Sequence, residues 1–125
     1  MKSLETLAHD LPQVGHCFGL SDAPCLNVVP VKSAGFSVTK LRRNVSQGVP
    51  VPVRLPADDA YFVMLYLDDV SHCDIRPDGS LTAARLYPRG SICLVDLKDG
   101  VSIMLQSRLD SLAFVVPYDV FDELG

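Results

Sequence analysis

The side chains with chemistry to offer are few and widely spaced. His72 and Asp74 stand two apart in SHCDI, and Cys93 follows the Pro88-Arg89-Gly90 corner of YPRGSIC. Carboxylates are paired at Asp58-Asp59 and Asp68-Asp69, and His16-Cys17 lies eight residues before Cys25. A His-x-Asp pair supplies two ligands of a facial iron triad, which then needs a second histidine from elsewhere. The other histidines are His9 and His16, and none follows position 72. His16, Cys17 and Cys25 make half a zinc site with no fourth ligand at finger spacing. No metal is expected. A cysteine nucleophile needs a histidine beside it in space, and His72 and Cys73, as neighbours on a strand, face opposite ways. His72, near a hairpin end, is expected to be solvated, and the aspartate pairs read as solubilising loop residues at the two ends of one strand. There is no G-x-S-x-G, phosphate loop or dinucleotide fingerprint. The expectation is therefore a protein that is not an enzyme, with no catalytic residues and no cofactor.

Short strands must position these residues. Leu4, Leu7, Ala8 and Leu11 recur at helical spacing between Ser3 and Pro12, which predicts an N-terminal helix within residues 1–12. Residues 13–34 carry Gly15, Gly19, Pro24 and Pro30 and read as a loop-rich lead-in, with one short strand at Leu26–Val31. From 35 to 116 strand follows strand. Phe36–Arg43 alternates, and Val49–Val53 has prolines that confine it to an edge or a crossing. Tyr61–Leu67 is apolar on both faces, as in a strand covered on both sides. Ser71–Arg76 and Leu81–Tyr87 flank the turn Pro77-Asp78-Gly79-Ser80, Ile92–Leu97 and Val101–Leu105 flank the hairpin turn Lys98-Asp99-Gly100, and Leu112–Val116 is the last strand. Residues 117–125 switch to the start of a C-terminal helix, with Pro117 at its first position and Asp119 at the positive end of its dipole. Asp122 and Glu123 would sit badly against a helix end at Gly125, so the helix is expected to continue, the alternative being that Gly125 is its C-terminal cap. Strands at this spacing predict a single all-β domain with flanking short helices, an antiparallel sandwich or barrel.

The totals narrow the partners. The 125 residues are 48% hydrophobic with a formal net charge of -4, and the pI near 5.1 and mean hydropathy of +0.23 argue for a sizeable core and against a surface that neutralises phosphates. Lys40, Arg42 and Arg43 form the one basic cluster, with Lys40 and Arg42 on one solvated strand face. No apolar run is long enough to span a membrane, and the N-terminus lacks a signal-peptide pattern. Four cysteines without a C-x-x-C are expected as reduced thiols in a cytoplasmic protein. What remains is a pocket: a small barrel holds one ligand in its mouth or interior. Met64, Tyr66, His72, Tyr87 and Phe114, together with Tyr61, offer apolar walls with a few polar tips, and Cys93 is expected to face the interior.

The strings LRRNVSQGVPVPVRLPADDAYFVMLYLDD, LYPRGSICLVDL and RLDSLAFVVPYDVFDELG, over Phe36 to Gly125, resemble the N-terminal sensory domain of AraC/XylS-family transcription regulators. The resemblance implies a cupin-like double-stranded β-barrel that senses a small-molecule effector, pairs as a homodimer, and leaves DNA contact to a helix-turn-helix region outside this chain. Pro88-Arg89-Gly90 also resembles the second cupin motif, whose metal-binding histidine is here Cys93, and the first motif's His-x-His is here His72-x-Asp74. Metal-dependent cupin chemistry is thereby disfavoured. The alternatives are a metal-dependent cupin enzyme, an isomerase or dioxygenase, and a stand-alone ligand-binding barrel.

Overall fold

Alternation of period two builds the core. Along Ala60–Tyr66 (β4) and Leu109–Pro117 (β9) every second side chain is buried and the intervening ones are half-exposed. The computed structural model describes residues 14–20, 23–31, 34–44 and 49–124. Its other strands are Cys25–Val31 (β1), Ala34–Arg43 (β2), Val51–Leu55 (β3), Val70–Asp74 (β5), Arg85–Tyr87 (β6), Ile92–Asp96 (β7) and Val101–Leu105 (β8). They form a five-stranded sheet in the order β1-β2-β9-β4-β7 and a four-stranded sheet in the order β3-β8-β5-β6. Every pairing is antiparallel. From β2 onward the chain passes repeatedly from one sheet to the other, so most neighbours within a sheet, β5 and β6 excepted, are not consecutive in sequence. That is the jelly-roll form of an antiparallel barrel. Leu41, Val53, Phe62, Met64, Val70, Leu105, Leu109 and Val115 fill the space between the sheets.

Several elements differ from the sequence reading. The helix expected over residues 1–12 lies outside the described residues, as does the chain end at Gly125. The lead-in contains a short helix, Val14–Cys17 (α1), and a strand longer than expected in β1. Ile92–Leu97 and Val101–Leu105 are not a hairpin. A 3-10 turn at Leu97–Asp99 carries the chain across the barrel, so β7 pairs with β4 while β8 pairs with β3 and β5. The turn residues were legible, but a tight turn at a barrel edge serves a crossing as well as a hairpin. Pro117 closes β9, paired with Ala60, and the last helix begins after it at Tyr118–Leu124 (α2). Lys40 and Arg42 do share a face, yet Lys40 Nζ lies 2.7 Å and Arg42 3.5 Å from the Asp110 carboxylate. β3 is an edge strand, as its prolines require. No helix among the described residues is long and apolar enough to cross a membrane.

Two glycines make the corners possible. Gly90 has φ +87° and its N–H donates to Tyr66 O at 2.7 Å. Gly100, after the 3-10 turn, has φ 74° and ψ 176°, a region open essentially to glycine alone. A methyl at Gly90 meets nothing within 4 Å, whereas at Gly100 it would stand 2.9 Å from Leu55 O. Gly90→Ala is therefore expected to cost about 1 kcal/mol in urea unfolding, the backbone term alone, and Gly100→Ala clearly more. Equal losses would mean that β3 yields to the added methyl.

Candidate functional site

The inward faces of β3, β4, β7 and β8 line a pocket that opens to solvent, about 360 Å³ of empty space when the solvent at its mouth is included. Val53 and Leu55, Phe62, Met64 and Tyr66, Cys93 and Val95, and Val101 and Ile103 line it, with His72 from β5 and Phe18 from the end of α1. Phe18 reaches the cavity from outside the strands. Its ring stacks on Phe62 at 6.4 Å, and Arg43 Nη1 holds its carbonyl at 2.8 Å.

One corner of this chamber is polar. His72 is only 5% exposed and lies flat on Tyr87, ring centroids 4.1 Å apart and planes 11° apart. Its Nε2 is 2.9 Å from the hydroxyl of fully buried Tyr66. Backbone pairing explains the meeting. His72 pairs with Arg85 and Val70 with Tyr87, so Tyr87 is a diagonal neighbour of His72, while Met64 and Cys93 stand directly opposite one another. The Pro88–Gly90 corner fixes Tyr66, whose carbonyl accepts from Gly90 N–H and whose N–H donates to Ser91 O at 3.0 Å. Asp69 braces the same corner, accepting from Arg89 N–H at 2.8 Å, and Asp68 is ion-paired with Arg108. These loop aspartates are struts as well as solubilising groups.

Burial sets the charge state of the corner. It pushes the His72 imidazolium below the usual histidine range, with Asp74 opposing and Arg85 adding to the shift. It pushes the Tyr66 phenol and the Cys93 thiol upward. All three are neutral near pH 7, and Cys93 lacks the thiolate character of a nucleophile. With the phenol donating to Nε2, an assignment made from the hydrogen-bond network, the imidazole hydrogen sits on Nδ1. That nitrogen is buried without a partner.

The metal that the cupin resemblance implies does not fit these residues. His72 Nε2 is engaged by Tyr66, Cys93 is held as a thiol, and no three His, Cys, Asp or Glu side chains gather among the described residues. His16 and Cys25 are exposed, and all four cysteines are free.

Of the residues singled out from sequence, Met64, Tyr66, His72 and Cys93 share the cavity, and Tyr87 backs it through the His72 stack. Phe114 is a correction. It lies on the outer face of β9, half-buried beside Phe36 with centroids 6.5 Å apart, because inward positions on that strand are odd-numbered. Tyr61 is outward because the inward positions on β4 are even-numbered. The expected solvation of His72 is also overturned, since the Tyr87 ring and the opposite sheet bury it. Sequence reasoning missed Phe18, Phe62, Val53, Leu55, Val95, Val101 and Ile103. Alternation in VPVRL and VSIML marks the inward valines, leucine and isoleucine, but nothing local marks Phe18.

No family model matches the chain, and no curated protein matches it. Among solved structures, a Cupin 2 conserved barrel domain protein from Salinispora arenicola aligns at 11% identity and TM-score 0.47, over 97% of this chain and 95% of that one. An RmlC-like cupin family protein with a double-stranded β-helix fold, from Methanocaldococcus jannaschii, aligns at 10% identity and TM-score 0.44, over 97% and 95%. Hydroxypropylphosphonic acid epoxidase from S. wedmorenis, in complex with fosfomycin, aligns at 13% and 0.47, over 90% and 76%.

The depressed His72 value has a direct consequence for stability. Below pH ~6.5 the unfolded chain takes up a proton that the buried imidazole refuses, so this contribution is complete above ~6.5 and is lost as pH falls toward the lowered native value. Urea midpoints measured from neutral pH into the mildly acidic range should fall on the acidic side, and His72→Phe should flatten that slope. An unchanged slope in the variant would place the proton uptake elsewhere.

Proposed function

We propose that this domain binds one small, uncharged apolar or aromatic molecule between its sheets and serves as a sensory module without catalysing a reaction on it. The observation that carries this reading is the cavity wall. None of its eleven side chains is Lys, Arg, Asp or Glu, and its polar tips, Tyr66, His72 and Cys93, are gathered at one side. A charged ligand would lose its hydration there with no countercharge against the wall, at a cost of several kcal/mol. An apolar body loses nothing by burial, and a single polar group on it can turn toward the Tyr66–His72 corner. A regulatory role, with DNA contact made by another region, is supported by the resemblance of Phe36 to Gly125 to AraC/XylS-type sensory domains and by the acidic balance of the chain.

Thermal unfolding with phenol, indole and benzyl alcohol, set against benzoate, tests the proposal. A molecule that binds only the native chain must raise its Tm. At least one neutral ring compound should do so, benzoate should not, and Val101→Phe, which fills the cavity, should abolish the shift. No shift with any neutral compound, or a shift that survives Val101→Phe, would overturn it.

A further inference from the structure

Among the described residues the two sheets end in four edge strands, β1, β3, β6 and β7. An open edge presents unpaired N–H and C=O groups to any extended chain, and proteins guard such edges with prolines, bulges, charges or short length. Three of the four are guarded. β1 carries Pro30 and a break in register between Val28 and Val31. β3 carries Pro52, which has no N–H to offer. β6 is three residues long and begins at Arg85. β7 has none of these devices. Its five residues, Ile92–Asp96, hold an unbroken register against β4 without a proline, and the one charge, Asp96, stands at the end. The register also decides which backbone groups face outward. Gly90 N–H donates to Tyr66 O and Tyr66 N–H to Ser91 O, so the ladder bonds between β7 and β4 fall on Cys93 and Val95, opposite Met64 and Phe62. Ile92 and Leu94 then aim their amides and carbonyls at the free edge, and no backbone bond beyond the β4 ladder reaches them among the described residues. Their side chains, 65% and 63% exposed, continue the apolar outer face formed by Leu65 and Val63 on β4.

We infer that β7 is a docking edge for an extended segment of a partner protein, one with apolar residues at alternate positions and acidic residues beside the Ile92 end. A strand laid along the edge pairs with the free groups of Ile92 and Leu94, and this backbone pairing supplies affinity whatever the segment's sequence. Its side chains on the outer face then pack beside Ile92 and Leu94, which sets the apolar alternation. Arg85 and Arg89 set the charge. Both are exposed, and neither has an ion pair among the described residues. Arg89 precedes Ile92 at the Pro88–Gly90 corner. The Cys93 thiol, raised chiefly by burial, also feels the charges of Asp74 and Arg85, which places Arg85 beside β7. A second copy of this chain is a poorer occupant. The two-fold axes that would pair β7 with itself run past Cys93 or Leu94 and bring Arg85 of each copy toward its own twin, whereas an acidic segment answers that charge.

Phage display of random linear peptides, selected on the immobilised chain, tests the inference. Enriched peptides should carry apolar residues at alternate positions and Asp or Glu at one end. A selected peptide, once synthesised, should lose binding when N-methylated at alternate amides of one parity and keep it with the other parity, the signature of strand pairing. Leu94→Pro removes an N–H that β4 does not use, and Leu94→Lys places a charge on the edge while sparing every ladder bond. Both variants should keep the wild-type far-ultraviolet circular dichroism and abolish peptide binding. Arg85→Glu combined with Arg89→Glu should weaken binding, more strongly at low salt. Val101→Phe, which fills the pocket, should leave peptide binding intact, so the edge and the pocket are tested separately. Failure to enrich such peptides overturns the inference, as do binding that survives both Leu94 variants, indifference to N-methylation, and an affinity unchanged by the arginine reversals. Loss of binding in Val101→Phe overturns it by placing the peptide in the pocket. A wild-type dimer that Leu94→Pro converts to monomers in sedimentation velocity overturns it by making a second copy the occupant.

Discussion

Strand β4 lies one position in from the edge of the five-stranded sheet, beside β9, and its strict alternation has two products. Phe62, Met64 and Tyr66 turn inward to wall the cavity, while Tyr61, Val63 and Leu65 turn outward into the apolar face. Because the period is two, a slip of one residue against β9 or β7 would exchange the two sets and could put the Tyr66 phenol where Leu65 now stands. Seven paired positions with β9 and five with β7 hold the register. Chamber and outer surface are therefore two sides of one constraint, and neither can drift without the other.

Within the chamber, the polar corner depends on backbone more than on side-chain attraction. The tight turn through Gly90 ties its own amide and the Ser91 carbonyl to Tyr66, and that brings the start of β7, with Cys93, back alongside β4. The Tyr66 hydroxyl then meets His72 across the gap between the sheets. The bond makes it tolerable to bury an imidazole among valines and leucines, and burial in turn keeps the ring uncharged. The remaining Nδ1 is a buried polar atom at the site without a hydrogen-bond partner.

The all-β class and the succession of turns and strands were legible because period-two alternation and Gly- or Pro-bearing turns are local signals. The departures of Cys93 and His72-x-Asp74 from the histidines of the cupin motifs were legible too, since they are single-residue facts. Three things were not. Phe114 looked like a pocket wall because composition alone does not say which parity of a strand faces inward; only the register with β2 and β4 decides that. Gly100 marked a turn without saying that the next strand joins the other sheet. The burial of His72 depends on Tyr87, fifteen positions away in sequence, and on a stack formed only once β5 and β6 pair.

Phe18 belongs to neither sheet, yet it forms part of the chamber wall, secured by one guanidinium-to-carbonyl bond from Arg43. The depth of the chamber is therefore set by a side chain that takes no part in strand pairing. Exchanging that one aromatic for a smaller or larger residue would resize the space available to a guest without disturbing a single ladder hydrogen bond. The volume of the chamber and the register of its strands thus rest on different residues.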